Sequence, residues 1–150
     1  MSHRNVPTRY ELHPQLAADT HPVAAFELSE LRLMDDANYP WLVLVPRLPD
    51  AHELIDLDQP QRHLLAEEVD RASRALRDAF HPHKLNVAAL GNAVPQLHIH
   101  IIARRRSDAA WPRPIWGVMP PLSYDPRDIQ ELIEALRRKV WIEQPDLSTS

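Results

Sequence analysis

Cysteine is absent from the chain, which removes disulfides, thiolate metal centres, iron–sulfur clusters and cysteine nucleophiles together. Any chemistry must then run on histidine, hydroxyl or carboxylate groups. Glycine is nearly absent as well, with only Gly91 and Gly117 present. A phosphate-binding loop or a dinucleotide-binding turn needs several glycines so that backbone amides can approach phosphate closely. Both are excluded, and phosphate recognition by such a chain must rest largely on side chains. No apolar run approaches the roughly 18 residues of a membrane span, and Met1 to Asp19 lacks the apolar stretch of a secretory leader. The expectation is a cytoplasmic protein with no membrane partner. Positive charge is also short: 17 Lys and Arg against 21 Asp and Glu give a formal net charge of −4, which argues against a nucleic-acid binder. The one basic cluster, Arg104 to Arg106, reads as a solvated strand end.

What is present organises into one domain, residues 1–150 with a core over about 22–142. Residues 22–34 and 41–47 hold short apolar or alternating runs separated by Asp35, Asp36, Asn38 and Pro40, the pattern of strands joined by a turn. From Asp58, a plausible N-cap, the periodicity changes. Leu65, Val69, Ala72, Leu76 and Phe80 recur at helical steps, and Pro82 limits that helix. Two strands, Lys84 to Leu90 and Gln96 to Ala103, follow around the turn residues Gly91, Asn92 and Pro95. Ala109 to Pro121, rich in proline and carrying Trp111 and Trp116, reads as an extended loop. A C-terminal helix capped by Asp125, with Pro126 in its first turn, buries Ile129, Leu132, Ile133, Leu136 and Val140; the tail from Glu143 to Ser150 reads as frayed.

The chemistry concentrates in Gln96-Leu97-His98-Ile99-His100-Ile101-Ile102. In an extended segment the polar residues share one face and Leu97, Ile99 and Ile101 the other. Two residues of strand span about 6.6 Å, so His98 and His100 can reach one phosphate-sized group. A neutral imidazole carries a nitrogen lone pair, and a reference pKa near roughly 6.5 leaves most of it unprotonated at neutral pH. Such a ring can attack phosphorus and split one displacement into two. A His-x-His pair on a strand is equally an arrangement for zinc or iron, with His52, His81 or His83 as a third ligand.

The segment Gly91-Asn92-Ala93-Val94-Pro95-Gln96-Leu97-His98-Ile99-His100-Ile101-Ile102 resembles the signature of the histidine-triad (HIT) superfamily, His-x-His-x-His-x-x with apolar x after a turn containing glycine. Its Gln-x-His-x-His form, together with residues 110–117, resembles a bacterial branch similar to diadenosine-tetraphosphate hydrolases. The resemblance implies an α+β fold: an antiparallel sheet of about five strands, one long helix between strands and a C-terminal helix. It implies a nucleotide hydrolase or transferase acting at the α-phosphate of a dinucleoside polyphosphate or nucleoside phosphoramidate. His98 falls at the nucleophile and His100 at a donor to the phosphate. Gln96 stands where the family has its first histidine; glutamine cannot shuttle a proton but can still donate to an oxygen, so Gln96 joins His98 and His100 as a catalytic candidate, a donor to the phosphoryl oxygens.

The resemblance places Asn86 at a phosphate-contacting position and Asp35 at one that holds ribose hydroxyls, while Asn92 and the backbone amides of the turn Asn92, Ala93 and Val94 are candidate donors to the phosphoryl oxygens. No cofactor is required on this reading, although a divalent metal can accompany the nucleotide, and a homodimer is expected. A catalytically weak nucleotide-binding protein is the third reading. His52 reads as surface loop, His3, His13, His21 and His63 as solvated, and Trp111 and Trp116 either as base-stacking groups or as loop anchors.

Overall fold

The computed structural model describes residues 9–142, so the tail from Glu143 onward lies outside the described residues. The chain enters through a short helix, α1 (Pro14–Asp19). A three-strand meander follows: β1 (Thr20–Ala25), β2 (Ser29–Met34) and β3 (Trp41–Pro46). A 3-10 turn at Leu54–Asp56 leads to the long helix α2 (Gln59–Phe80). Then come β4 (Lys84–Ala88), β5 (Ile99–Arg104) and the final helix α3 (Pro126–Val140). The five strands form one sheet in the order β1-β2-β3-β5-β4, with every neighbouring pair antiparallel. The α+β architecture expected from the sequence is the one observed.

The helix ends follow their capping residues. The Asp58 side chain accepts from the Gln61 N–H, and the Gln61 side chain returns a bond to the Asp58 N–H, both at 2.9 Å. Asp125 accepts from the Arg127 N–H ahead of α3 in the same way. At the other end of α2, Pro82 disfavours right-handed helix at His81, which sits left-handed at φ 46° and closes the helix through a bond to the Arg77 carbonyl. The short α1 was not legible as a helix; its visible signal is His13-Pro14, where the His13 ring accepts from the Gln15 N–H and proline takes the first turn.

Burial on both sides of the sheet explains why β3 reads as a continuous apolar run. Leu42 and Leu44 of β3, with Leu97, Ile99 and Ile101 of the β5 segment, pack against Leu65, Ala72 and Leu76 of α2 and Ile129, Ile133 and Leu136 of α3. Val43, Val45 and Ile102 face the opposite way, into a second cluster with Leu16, Tyr39, Trp41, Val94, Ala110 and Ile115. The residues between these layers are spoken for. Glu68, buried in α2, accepts from the N–H groups of Leu28 and Ser29, both at 2.9 Å, and so ties the helix to the bend between β1 and β2.

The structure shortens the last hairpin. β5 begins at Ile99, because the backbone ahead of it bonds elsewhere: the Leu97 N–H donates to the Ala51 carbonyl at 2.9 Å. Leu97 nonetheless joins Ile99 and Ile101 in the core cluster, whereas Gln96 departs from the expected shared face with His98 and His100, its amide being drawn to residues 11–13. Arg104 is also corrected. It is 1% exposed, and instead of being solvated its guanidinium bonds Asp108 through two nitrogens, Asn86 Oδ1 and the Arg113 carbonyl. Trp111 lies over it at 5.5 Å. Among the described residues no helix is long and apolar enough to cross a membrane.

Glu68→Leu is expected to lower the unfolding free energy by about 2–4 kcal/mol, since two buried N–H donors lose a charged acceptor. Urea denaturation followed by far-ultraviolet circular dichroism checks it, and an unchanged midpoint would refute the tie.

Candidate active site

His98 and His100 project from the β5 segment on the face away from α2, with ring centroids 4.8 Å apart and planes at 75°. Both rings are mostly withdrawn from solvent, at 6% and 5% exposure. They sit at the floor of a cavity of about 630 Å³. Its walls are α1 (Gln15, Leu16, Ala18, Asp19), the end of β2 (Met34, Asp35), Trp41, the turn Gly91 to Val94, and Trp116. Gly91 takes φ 73°, a left-handed conformation that favours glycine, so one of the two glycines is spent on shaping this turn.

Each ring is oriented by a partner whose hydrogen-bonding role is fixed. His98 Nδ1 lies 2.6 Å from the Gln96 carbonyl oxygen. A carbonyl only accepts, so Nδ1 carries the proton and the neutral ring has its lone pair on Nε2. His100 Nδ1 lies 3.0 Å from Trp41 Nε1. An indole N–H only donates, so His100 Nδ1 is the acceptor and the proton sits on Nε2. The two imidazoles are therefore opposite tautomers, one offering a nucleophilic nitrogen and the other a donor. Burial, with the His98 ring adding to it, pushes the His100 pKa down to about 3, which agrees with a neutral ring held in this state.

The sequence-based candidates divide cleanly by position. Asn92, Ala93, Val94 and Asp35 line the cavity with His98 and His100. Asp35 accepts from the Tyr124 N–H through Oδ1, and its Oδ2 is 3.4 Å from His21 Nε2. Its neighbour Asp36 is the structural member of the pair, its Oδ1 accepting from the Asn38 backbone and side chain and from Leu122. Asn86 and Gln96 are not brought to the cavity. Asn86 Oδ1 is taken by Arg104, and the Gln96 amide bonds the N-terminal segment, accepting from the His13 N–H and donating to the Glu11 carbonyl.

The two tryptophans also separate. Trp116 packs edge-on against His100 at 5.2 Å and Trp41 at 6.0 Å, inside the cavity. Trp111 is the loop anchor, between Arg104 and His83. His52 lies in an exposed loop, as the sequence suggests, and borders a second cleft of about 270 Å³ that His98 also lines, with Glu53, Leu54, Ile55, Ala89 and Leu90. The Leu97–Ala51 backbone bond, which no local pattern announces, joins the two segments that line this cleft. Trp41 was missed as well, since a strand tryptophan carries no local sign that its N–H is aimed at an imidazole. Among the described residues no group of three His, Asp or Glu side chains is arranged to hold a metal ion.

The HIT domain family matches residues 15–107, a span that includes every wall of this cavity except those contributed by Trp116 and the segment after it. The chain belongs to the histidine-triad family. HIT proteins of solved structure agree over most of their length. One from Bradyrhizobium japonicum is 56% identical, covering 89% of this chain and 99% of that one, with a TM-score of 0.87. One from Marinobacter aquaeolei is 39% identical over 88% and 96%, with a TM-score of 0.85. One from Sinorhizobium meliloti is 33% identical over 87% and 96%, also at 0.85. Comparison with curated proteins returns no match. In the HIT motif of this chain the second and third histidines face the cavity, while the residue at the first position faces away from it.

The lowered pKa of His100 has a consequence for stability. The unfolded chain binds this proton more tightly than the folded one, so the stabilisation is complete above roughly pH 6.5 and is lost as pH falls toward the folded value. Denaturant midpoints at pH 7.5 and 4.5 are expected to differ more for the wild type than for His100→Asn, which keeps an acceptor for Trp41 without a titrating ring. Equal differences would refute it.

Proposed function

We propose that this HIT protein cleaves nucleotide conjugates at the α-phosphate through a covalent nucleotidyl-histidine on His98. The observation that carries the reading is the pair of opposite tautomers on one cavity floor. In the first step His98 Nε2 attacks phosphorus: a P–N bond forms, the bond to the leaving group breaks, and that group departs with the electron pair and takes up a proton. In the second, water attacks phosphorus, the P–N bond breaks, and the nucleotide and the free imidazole are released. The His100 Nε2–H and the backbone amides of the Asn92–Val94 turn are the preorganised donors for charge on the phosphoryl oxygens. Asp35 accepts from the ribose hydroxyls, and Trp116 offers an aromatic face to the base.

On this reading the leaving group occupies the smaller cleft, which His98 also lines. Among the described residues neither cavity is lined by lysine or arginine, while Asp19, Asp35, Asp36 and Glu53 border them. Such walls suit a conjugate with one phosphate, such as a nucleoside phosphoramidate. A dinucleoside polyphosphate would need a divalent cation bound with it to offset its charge. The same reading includes a cytoplasmic setting and a two-fold dimer, for which the unpaired edge of β4 with exposed Val87 is the available surface.

His98→Ala is expected to reduce turnover of an adenosine phosphoramidate by at least about 10³-fold with an unchanged circular dichroism spectrum. Acid-quenched wild-type enzyme should carry the nucleotidyl group on the peptide containing His98 by mass spectrometry, and its absence during measurable turnover would overturn the covalent route. Trp41→Phe keeps an aromatic ring but removes the donor to His100. It should lower kcat by about 10²-fold with little change in KM, the lower end of the scale for loss of one oxyanion donor. Phosphoramidate turnover should not respond to added magnesium, whereas diadenosine tetraphosphate turnover should require it; steady-state rates with and without a chelator separate the cases.

A further inference from the structure

Gln96 holds the position of the first motif histidine, yet both its amide oxygen and its amide nitrogen are bonded away from the reacting groups. Its Oε1 accepts from the His13 N–H at 2.9 Å, and its Nε2 donates to the Glu11 carbonyl at 2.8 Å. These two backbone groups belong to alternate residues of an extended segment. A planar side-chain amide presents an acceptor and a donor side by side and can take both, as a neighbouring strand would. A neutral imidazole has one donor and one acceptor on separate edges of the ring and cannot close the same pair.

The segment so held leads directly into α1, because His13 is the N-cap of that helix. Four residues of α1, Gln15, Leu16, Ala18 and Asp19, form one wall of the large cavity. Ahead of the clamp, the Tyr10 hydroxyl donates to Glu30 Oε2 at 2.8 Å; beyond it, Leu16 is buried beside Trp41 and Val94. Gln96 thus bridges two anchors. Its main-chain carbonyl is also the group that orients His98, so one residue connects the nucleophile to the opposite wall of its cavity.

We propose that Gln96 is a positioning residue for substrate binding: its side chain clamps residues 11–13 so that α1 closes the nucleoside side of the cavity, and it takes no part in proton transfer. This deepens the nucleotide-cleaving reading and rests on it for its kinetic consequences. It also predicts that restoring the motif histidine does not restore a lost function, because the clamp needs an amide.

The test compares full-length wild type, Gln96→Ala, Gln96→His and His13→Pro, with His13→Ala as the control for loss of the α1 cap. Proline fits the His13 φ of −55° and, relative to His13→Ala, which also lacks the capping ring, deletes the N–H that donates to Gln96. Adenosine phosphoramidate turnover and adenosine monophosphate binding are measured together with amide hydrogen exchange of the unliganded proteins. In Gln96→Ala and Gln96→His, KM and the nucleotide Kd should rise about tenfold, the scale of one or two lost hydrogen bonds, while kcat stays within about threefold. Exchange should quicken over residues 10–19 and stay slow in β5. His13→Pro should reproduce both effects beyond those of His13→Ala.

A fall in kcat at constant KM, or a Gln96→His variant with raised kcat, would place the residue at the reacting groups and overturn the proposal, as would unchanged exchange over residues 10–19. If the wild type neither binds nor cleaves these nucleotides, the functional reading fails. The exchange measurement then still upholds or refutes the clamp by itself.

Discussion

Two hydrogen bonds with non-interchangeable partners govern the site. The Gln96 carbonyl can only accept and the Trp41 indole can only donate, so the adjacent imidazoles of His98 and His100 are forced into different protonation patterns. The pattern needs no charged group in contact with either ring. It survives because both rings are withdrawn from water, where a proton on His100 would be costly. Remove either partner and the ring concerned is free to exchange its tautomer, and the two histidines cease to be chemically distinct.

The rest of the fold holds those partners still. Trp41 opens β3, in the middle of the sheet, and is packed against Trp116 and His100. Trp116 comes from a loop with no regular secondary structure, and the ordering of that loop traces to Arg104. This buried guanidinium gathers Asp108, Asn86 and the Arg113 carbonyl, while Ala110 and Ile115 enter the second core cluster. Asp108 adds bonds to the N–H groups of Arg105, Ala110 and Trp111. Here a buried ion pair is matched by enough hydrogen bonds to satisfy it, the condition under which such a pair is tolerated in a core.

Much of this was legible in the residues. The apolar steps of α2 and α3, their caps at Asp58 and Asp125, and the alternation from Leu97 to Ile101 are local signals, and local signals are what periodicity can read. The motif histidines and the Asn92–Val94 turn were legible for the same reason. What escaped was set by contacts between distant parts of the chain. Gln96 meets residues 11–13 across more than eighty positions, Asn86 is captured by Arg104, and the backbone of Leu97 is bonded to Ala51. Composition misled at Arg104 to Arg106, where the first arginine turns inward while the other two remain exposed.

The sheet order has one more implication. Among the described residues β5 is the last strand, yet it lies between β3 and β4, filling a slot flanked by strands that precede it. Until it docks, both flanking strands present bare edges able to recruit foreign chains. The segment that bears the two imidazoles is therefore also the keystone that seals the sheet. Pairing of the two imidazoles on the cavity floor and closure of the interior edges of the sheet therefore depend on one and the same strand.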